Sequence, residues 1–216
     1  MLHIIFLILF FADYGLHLYG TYLEHKKLRW VTKPLLLPFI IVVYISGAFP
    51  DLNILLIIGL IFGWLGDIFL MIDREEKWFI LGLGSFLMGH IFYIIIFLLS
   101  IPNLLDFSFL GILYLIPAAL IALYVLYRIK GKMGDMTKPV LIYMGVIFLM
   151  GLSAVLRYAG GQEISFFLVL IGSILFIISD GLIALDKFHK EIDQVHVYIM
   201  ATYAIAQFCI AYGFIV

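Results

Sequence analysis

Eight long apolar stretches, divided by short turns that carry most of the charge, account for nearly the whole chain. They run over 2–22, 34–49, 53–72, 78–100, 107–127, 139–158, 164–186 and 195–216, each near the roughly 20 residues that a helix needs to cross a bilayer. The second is short and contains Pro38, so a kink or tilt is expected there. Turns this brief join antiparallel neighbours, and an open sheet cannot satisfy its backbone in lipid. The pattern predicts an all-α integral membrane protein, a single domain over 1–216 built as a bundle of eight transmembrane helices. The first stretch lacks a positive leader and a small-residue cleavage site, and so reads as a span rather than a signal peptide.

Composition supports this picture and narrows the function. Of 216 residues, 65% are hydrophobic and 12% charged, with a mean hydropathy of +1.20. Soluble domains average roughly 45–50% and about 25%, so little of the chain is left for an extramembrane domain. A net charge of −1 argues against a nucleic-acid partner. The single cysteine, Cys209, rules out an intramolecular disulfide, a Cys-based zinc site and an iron–sulfur centre, and its apolar neighbours suit a small core residue.

Twelve of the thirteen Lys and Arg fall in the odd-numbered turns: Lys26, Lys27, Arg29 and Lys33; Arg74 and Lys77; Arg128, Lys130, Lys132 and Lys138; Lys187 and Lys190. Arg157 alone falls on the other side. By the positive-inside rule the odd turns are cytoplasmic and both termini lie on the non-cytoplasmic side. In a bacterial host the membrane would be the cell membrane.

Polar groups inside the spans are the informative residues, since an Asp at a helix centre costs about 2.5–3.5 kcal/mol on insertion scales. Asp67 in the third span and Asp180 in the seventh both lie roughly 8–9 Å below the cytoplasmic boundary at about 1.5 Å per residue. Two carboxylates at matching depth on different helices can face each other. Asp13 and His17, four apart on the first span, share a face. His90 is near the middle of the fourth span, and His196, Met200, Tyr203 and Gln207 form a polar stripe on the eighth. Lys33 and Pro34 are expected to open the second span at its cytoplasmic edge. Gly59, Gly63 and Asp67 line one face of the third span, where absent side chains permit close packing or a cavity beside the acid.

Two carboxyls in a low-dielectric pocket cannot both ionise easily, which lets a general acid and a general base coexist near neutral pH. That suits hydrolysis through an oxocarbenium-like species. A serine nucleophile lacks a G-x-S-x-G elbow. The stretch before Asp67 lacks the first glycine of the GxGD motif of intramembrane aspartyl proteases. A zinc hydrolase built on His17, His90 and an Asp lacks the His-x-x-x-His spacing of helical zinc sites. No metal or other cofactor is expected.

Several short motifs, in order and in register with the spans, resemble the YhhN family of multi-pass membrane proteins, which includes the lysoplasmalogenases. They are Lys33-Pro34 followed by three leucines, Leu65-Gly66-Asp67, His90 with Tyr93, Ser179-Asp180 with Ala184-Leu185, and Tyr203 with Gln207. The resemblance covers nearly the whole chain. It implies an alkenyl ether hydrolase whose substrate is a lysoplasmalogen, giving a fatty aldehyde and glycerophosphocholine or glycerophosphoethanolamine. On that reading Asp67 and Asp180 are catalytic, and His90, Tyr203 and Gln207 tune them or hold the ether oxygen. Lys33 would hold the phosphate, with Asp13 and His17 as further substrate-binding or tuning groups. The rival readings are a proton-coupled transporter of a lipid or small solute and a non-catalytic lipid sensor, since intramembrane Asp and His also serve as proton relays.

Overall fold

The structure, a computed structural model, describes residues 2–72, 76–101, 109–158 and 164–216. Its helices are α1 (Leu2–Tyr22), α2 (Lys26–Ala48), α3 (Ile54–Ile72), α4 (Glu76–Leu99), α5 (Ile116–Ile129), α6 (Thr137–Leu156), α7 (Ile164–Phe188) and α8 (Val195–Gly213). Seven of the apolar helices are long enough to cross a membrane, so the protein is a multi-pass integral membrane protein. The fifth span departs from expectation. Its α-helix has 14 residues and is preceded by a 3-10 segment, Phe109–Leu115. Arg74 in the third turn and Phe107, the expected start of the fifth span, lie outside the described residues.

Neighbours in sequence pack as hairpins, α1 with α2, α3 with α4 and α7 with α8, while α4–α6, α5–α7 and α2–α8 contacts close the bundle. The polarity of the packing is that of a lipid-bathed protein. Ile4, Ile8, Leu120, Leu123 and Ile142 face outward, whereas His17, Thr32, Asp67, His90 and Gln207 are buried. In hydrocarbon the exposed apolar surface is solvated, and polar groups turn inward to find partners.

The second helix begins at Lys26 rather than Pro34, so Lys33 and Pro34 lie within it and do not open it. The His25 side chain caps it by accepting from the Leu28 amide at 3.2 Å. Its first turns are cationic, and long basic side chains reach the interface while their helix stays ordered. The backbone beyond them contains two prolines. Pro38 has no amide hydrogen, which leaves the Pro34 carbonyl without its helical donor. The indole Nε1 of Trp64 on α3 donates to that carbonyl at 2.9 Å. A defect that would be costly in lipid is thereby used to join α2 to α3.

Candidate functional site

Asp67 is 2% exposed and is engaged on both oxygens. Lys33 Nζ of α2 lies 3.2 Å from Oδ1. The Tyr203 hydroxyl of α8 donates to Oδ2 at 2.7 Å. Behind Tyr203 the chain of contacts continues: Gln207 Nε2 donates to the Tyr203 oxygen at 3.4 Å, and Tyr93 of α4 donates to Gln207 Oε1 at 2.5 Å. The third helix makes room for this set by omitting side chains. A Cβ at Gly63 would sit 2.7 Å from Gln207 Nε2, and one at Gly59 would sit 2.6 Å from the Tyr93 ring.

Asp180 heads a second set. The Tyr143 hydroxyl of α6 donates to its Oδ2, and His90 Nε2 of α4 lies 3.4 Å from the same oxygen and 3.0 Å from the Tyr143 hydroxyl. No hydrogen bond joins the two carboxylates among the described residues. Aromatic rings connect the sets instead. Tyr203 packs edge-on against Phe176 at 5.4 Å and Phe86 at 5.7 Å, and Phe176 packs edge-on against His90 at 4.6 Å.

Two cavities adjoin at Leu70 and Ile183, each three residues beyond an acid on its helix, and Asp67 itself lines neither. A narrow apolar crevice of about 60 Å³, lined by α3 to α7, has Asp180 and Tyr143 in its wall. A polar vestibule of about 1310 Å³ opens at the basic end of the bundle and is lined by Lys26, Arg29, Lys33, Lys190 and acids including Asp186 and Glu191. Leu70, Phe79 and Ile183 line both. A charged lining thus adjoins an apolar one.

The structure thus brings together Lys33, Asp67, Tyr203 and Gln207, and separately His90 and Asp180. It leaves the α1 pair outside both sets. His17 borders the vestibule but bonds to Thr32 Oγ1 at 2.8 Å, and Asp13 is buried with Oδ2 lacking a partner among the described residues. Met200 and His196 of the α8 stripe line the vestibule. Sequence reasoning missed Tyr143. Its one signal was a phenol in the otherwise apolar middle of α6, among 13 tyrosines in the chain.

The profile of the YhhN family matches residues 28–214. The chain belongs to the YhhN family. The matched region contains every member of the two acid sets and excludes Asp13 and His17. A curated relative, human lysoplasmalogenase TMEM86A, is 34% identical over 160 residues, covering 71% of this chain. The chain spans 62% of that relative's length. No solved structure matches it.

Proposed function

We propose that this YhhN-family protein is a membrane-embedded alkenyl ether hydrolase acting on lysoplasmalogens. The observation that carries the reading is the tyrosine-bound carboxylate of Asp180 in the wall of an apolar crevice that adjoins a cationic vestibule, with Asp67 buried behind the vestibule's Lys33. The name of the human relative agrees with it. The phosphate of the lysolipid would lie toward Arg29 and Lys33, and the alkenyl chain would enter the crevice past Asp180.

Asp180, whose wall position faces the chain, gives a proton to the β-carbon of the vinyl ether. The double bond's electron pair forms the new C–H bond, and the α-carbon becomes an oxocarbenium centre. Asp67, paired with Lys33 and bound by the Tyr203 hydroxyl, stabilises that cation and orients the water that adds to it. The water's surplus proton restores the acid. The hemiacetal then breaks at its ether C–O bond to give a fatty aldehyde and the glycerophospho alcohol. His90 and Tyr143 fix the orientation of Asp180, and Gln207 and Tyr93 fix that of Tyr203. We place the basic end of the bundle in the cytoplasm, with all eight helical segments traversing the membrane of the cell.

The test is aldehyde release by the purified protein in detergent, comparing a vinyl ether lysolipid with its saturated ether and acyl ester counterparts. Aldehyde is expected from the vinyl ether only. Asp67→Asn and Asp180→Asn should each lower the rate at least about 100-fold, the lower range for a lost general acid or base. A folded wild-type protein that turned over none of the three lipids would overturn the proposal.

A further inference from the structure

At the basic end of the bundle, apart from both acids, α5 and α7 finish side by side. His189 directly follows α7, and Arg128 lies in the last turn of α5. Arg128 Nε donates to His189 Nε2 at 2.9 Å, and its Nη2 contacts the same nitrogen. Lys132 Nζ contacts the other ring nitrogen, Nδ1. Lys190 adds its charge to the same ring. Tyr124 steadies the guanidinium, accepting from Nη1 at 2.8 Å with its ring centroid 5.4 Å away. Among the described residues, no carboxylate pairs with Arg128 or Lys132.

Cations at a helix C-terminus are ordinary, because the helix dipole and the positive-inside rule both favour them. Neither explains why they converge on one imidazole. A neutral imidazole has one acceptor nitrogen, and its other nitrogen bears a hydrogen; a protonated ring accepts nothing. Desolvation, and then Arg128, Lys132 and Lys190, hold His189 below the usual histidine pKa, so the ring is neutral and satisfies only one of its two cationic neighbours. The donors of Arg128 and Lys132 thus flank the ring at its two nitrogens, and neither has a carboxylate partner among the described residues. An anion with several acceptor oxygens resolves the conflict, taking bonds from the guanidinium, the ammonium groups and the imidazole N–H together.

We propose that Arg128, Lys132, His189 and Lys190 form a phosphate-binding site at the joined ends of α5 and α7, filled by the headgroup of an anionic lipid or by free phosphate. Lys190 also lines the vestibule, but Arg128, Lys132 and His189 do not, so the site is separate from the one that would receive a substrate. When filled, it ties α5, the shortest of the eight helices, to the helix that carries Asp180.

Binding to the full-length protein in detergent tests this. Native mass spectrometry would compare retained phosphatidylglycerol with phosphatidylcholine, and thermal unfolding would report the effect of inorganic phosphate. A headgroup site shows preferential retention of phosphatidylglycerol, and a free-anion site shows stabilisation by phosphate. In either case Arg128→Gln with Lys132→Gln should weaken the response about tenfold or more, the scale of a lost charge-assisted hydrogen bond. The charge-matched pair Lys27→Gln with Lys138→Gln should leave it unchanged. If the first pair does not fold, Lys132→Gln alone carries the test, since that side chain is exposed. Equal loss in both pairs, no loss in the first, or no response of the wild type to either ligand would overturn the site.

Discussion

Tyr203 and Tyr143 do the same local job for two different acids, and removing each hydroxyl separates their roles. Tyr203→Phe takes one of two donors from Asp67 while Lys33 remains. A hydrogen bond to a charged group is worth about 1.5–3 kcal/mol, so the aldehyde-release rate should fall roughly 10- to 150-fold with the fold intact. Tyr143→Phe frees Asp180 to turn within the crevice wall, and a comparable fall is expected with His90 still beside it. Steady-state kinetics on the two variants, with circular dichroism to confirm folding, would check both; unchanged rates would remove the tyrosines from the mechanism. The residues legible in the sequence were those whose presence in lipid is costly: Asp67, Asp180, His90 and Gln207. Tyr143 was not legible, because a tyrosine is amphipathic and ordinary in a membrane helix. The partner of Lys33 was not legible either. Its charge and its place near the boundary suggested a phosphate ligand, whereas only the packing of α2 on α3 puts its ammonium against Asp67.

At the scale of helices, the apolar runs located the cores of the spans well and their ends less well. The start of α2 was missed by eight residues because hydropathy falls where cations begin, while the backbone hydrogen bonds continue past them. The α3 glycines were read correctly as sites of close approach, but only the structure shows that they admit Tyr93 and the Gln207 amide. Proline in α2 gives a stability prediction. Trp64→Phe keeps an aromatic ring but leaves the Pro34 carbonyl without a donor. An unpaired buried carbonyl costs about 1–3 kcal/mol, so the unfolding temperature in detergent should drop by several degrees. Pro38→Ala in the same background restores an amide donor within α2 and should recover part of that loss. A Trp64→Phe protein as stable as wild type would show that the carbonyl finds another partner.

Whether the chain crosses the membrane eight times turns on residues 109–129. The α-helix there extends only about 21 Å at 1.5 Å per residue, short of the roughly 30 Å hydrocarbon core. The 3-10 segment before it adds about 14 Å at 2.0 Å per residue, which brings the pair to crossing length. Contacts at the two ends agree with a full traverse. Tyr114 packs on Tyr158 and Phe166, beside the start of α7, while Arg128 reaches His189, just beyond its end. On the proposed eight crossings both termini would lie on one side, and by the positive-inside rule that side would be away from the cytoplasm. Single cysteines introduced by Leu2→Cys, Val216→Cys or Lys130→Cys in a Cys209→Ser background would report this through an impermeant maleimide. The two terminal positions should label in intact cells, and position 130 only after permeabilisation. If the fifth segment fails to cross, the two ends of the chain label from opposite sides. The start of α2 would then be parted from the end of α7, although Lys26, Arg29, Lys187 and Lys190 line one vestibule. The same labelling would therefore decide the span count and the side on which the vestibule opens.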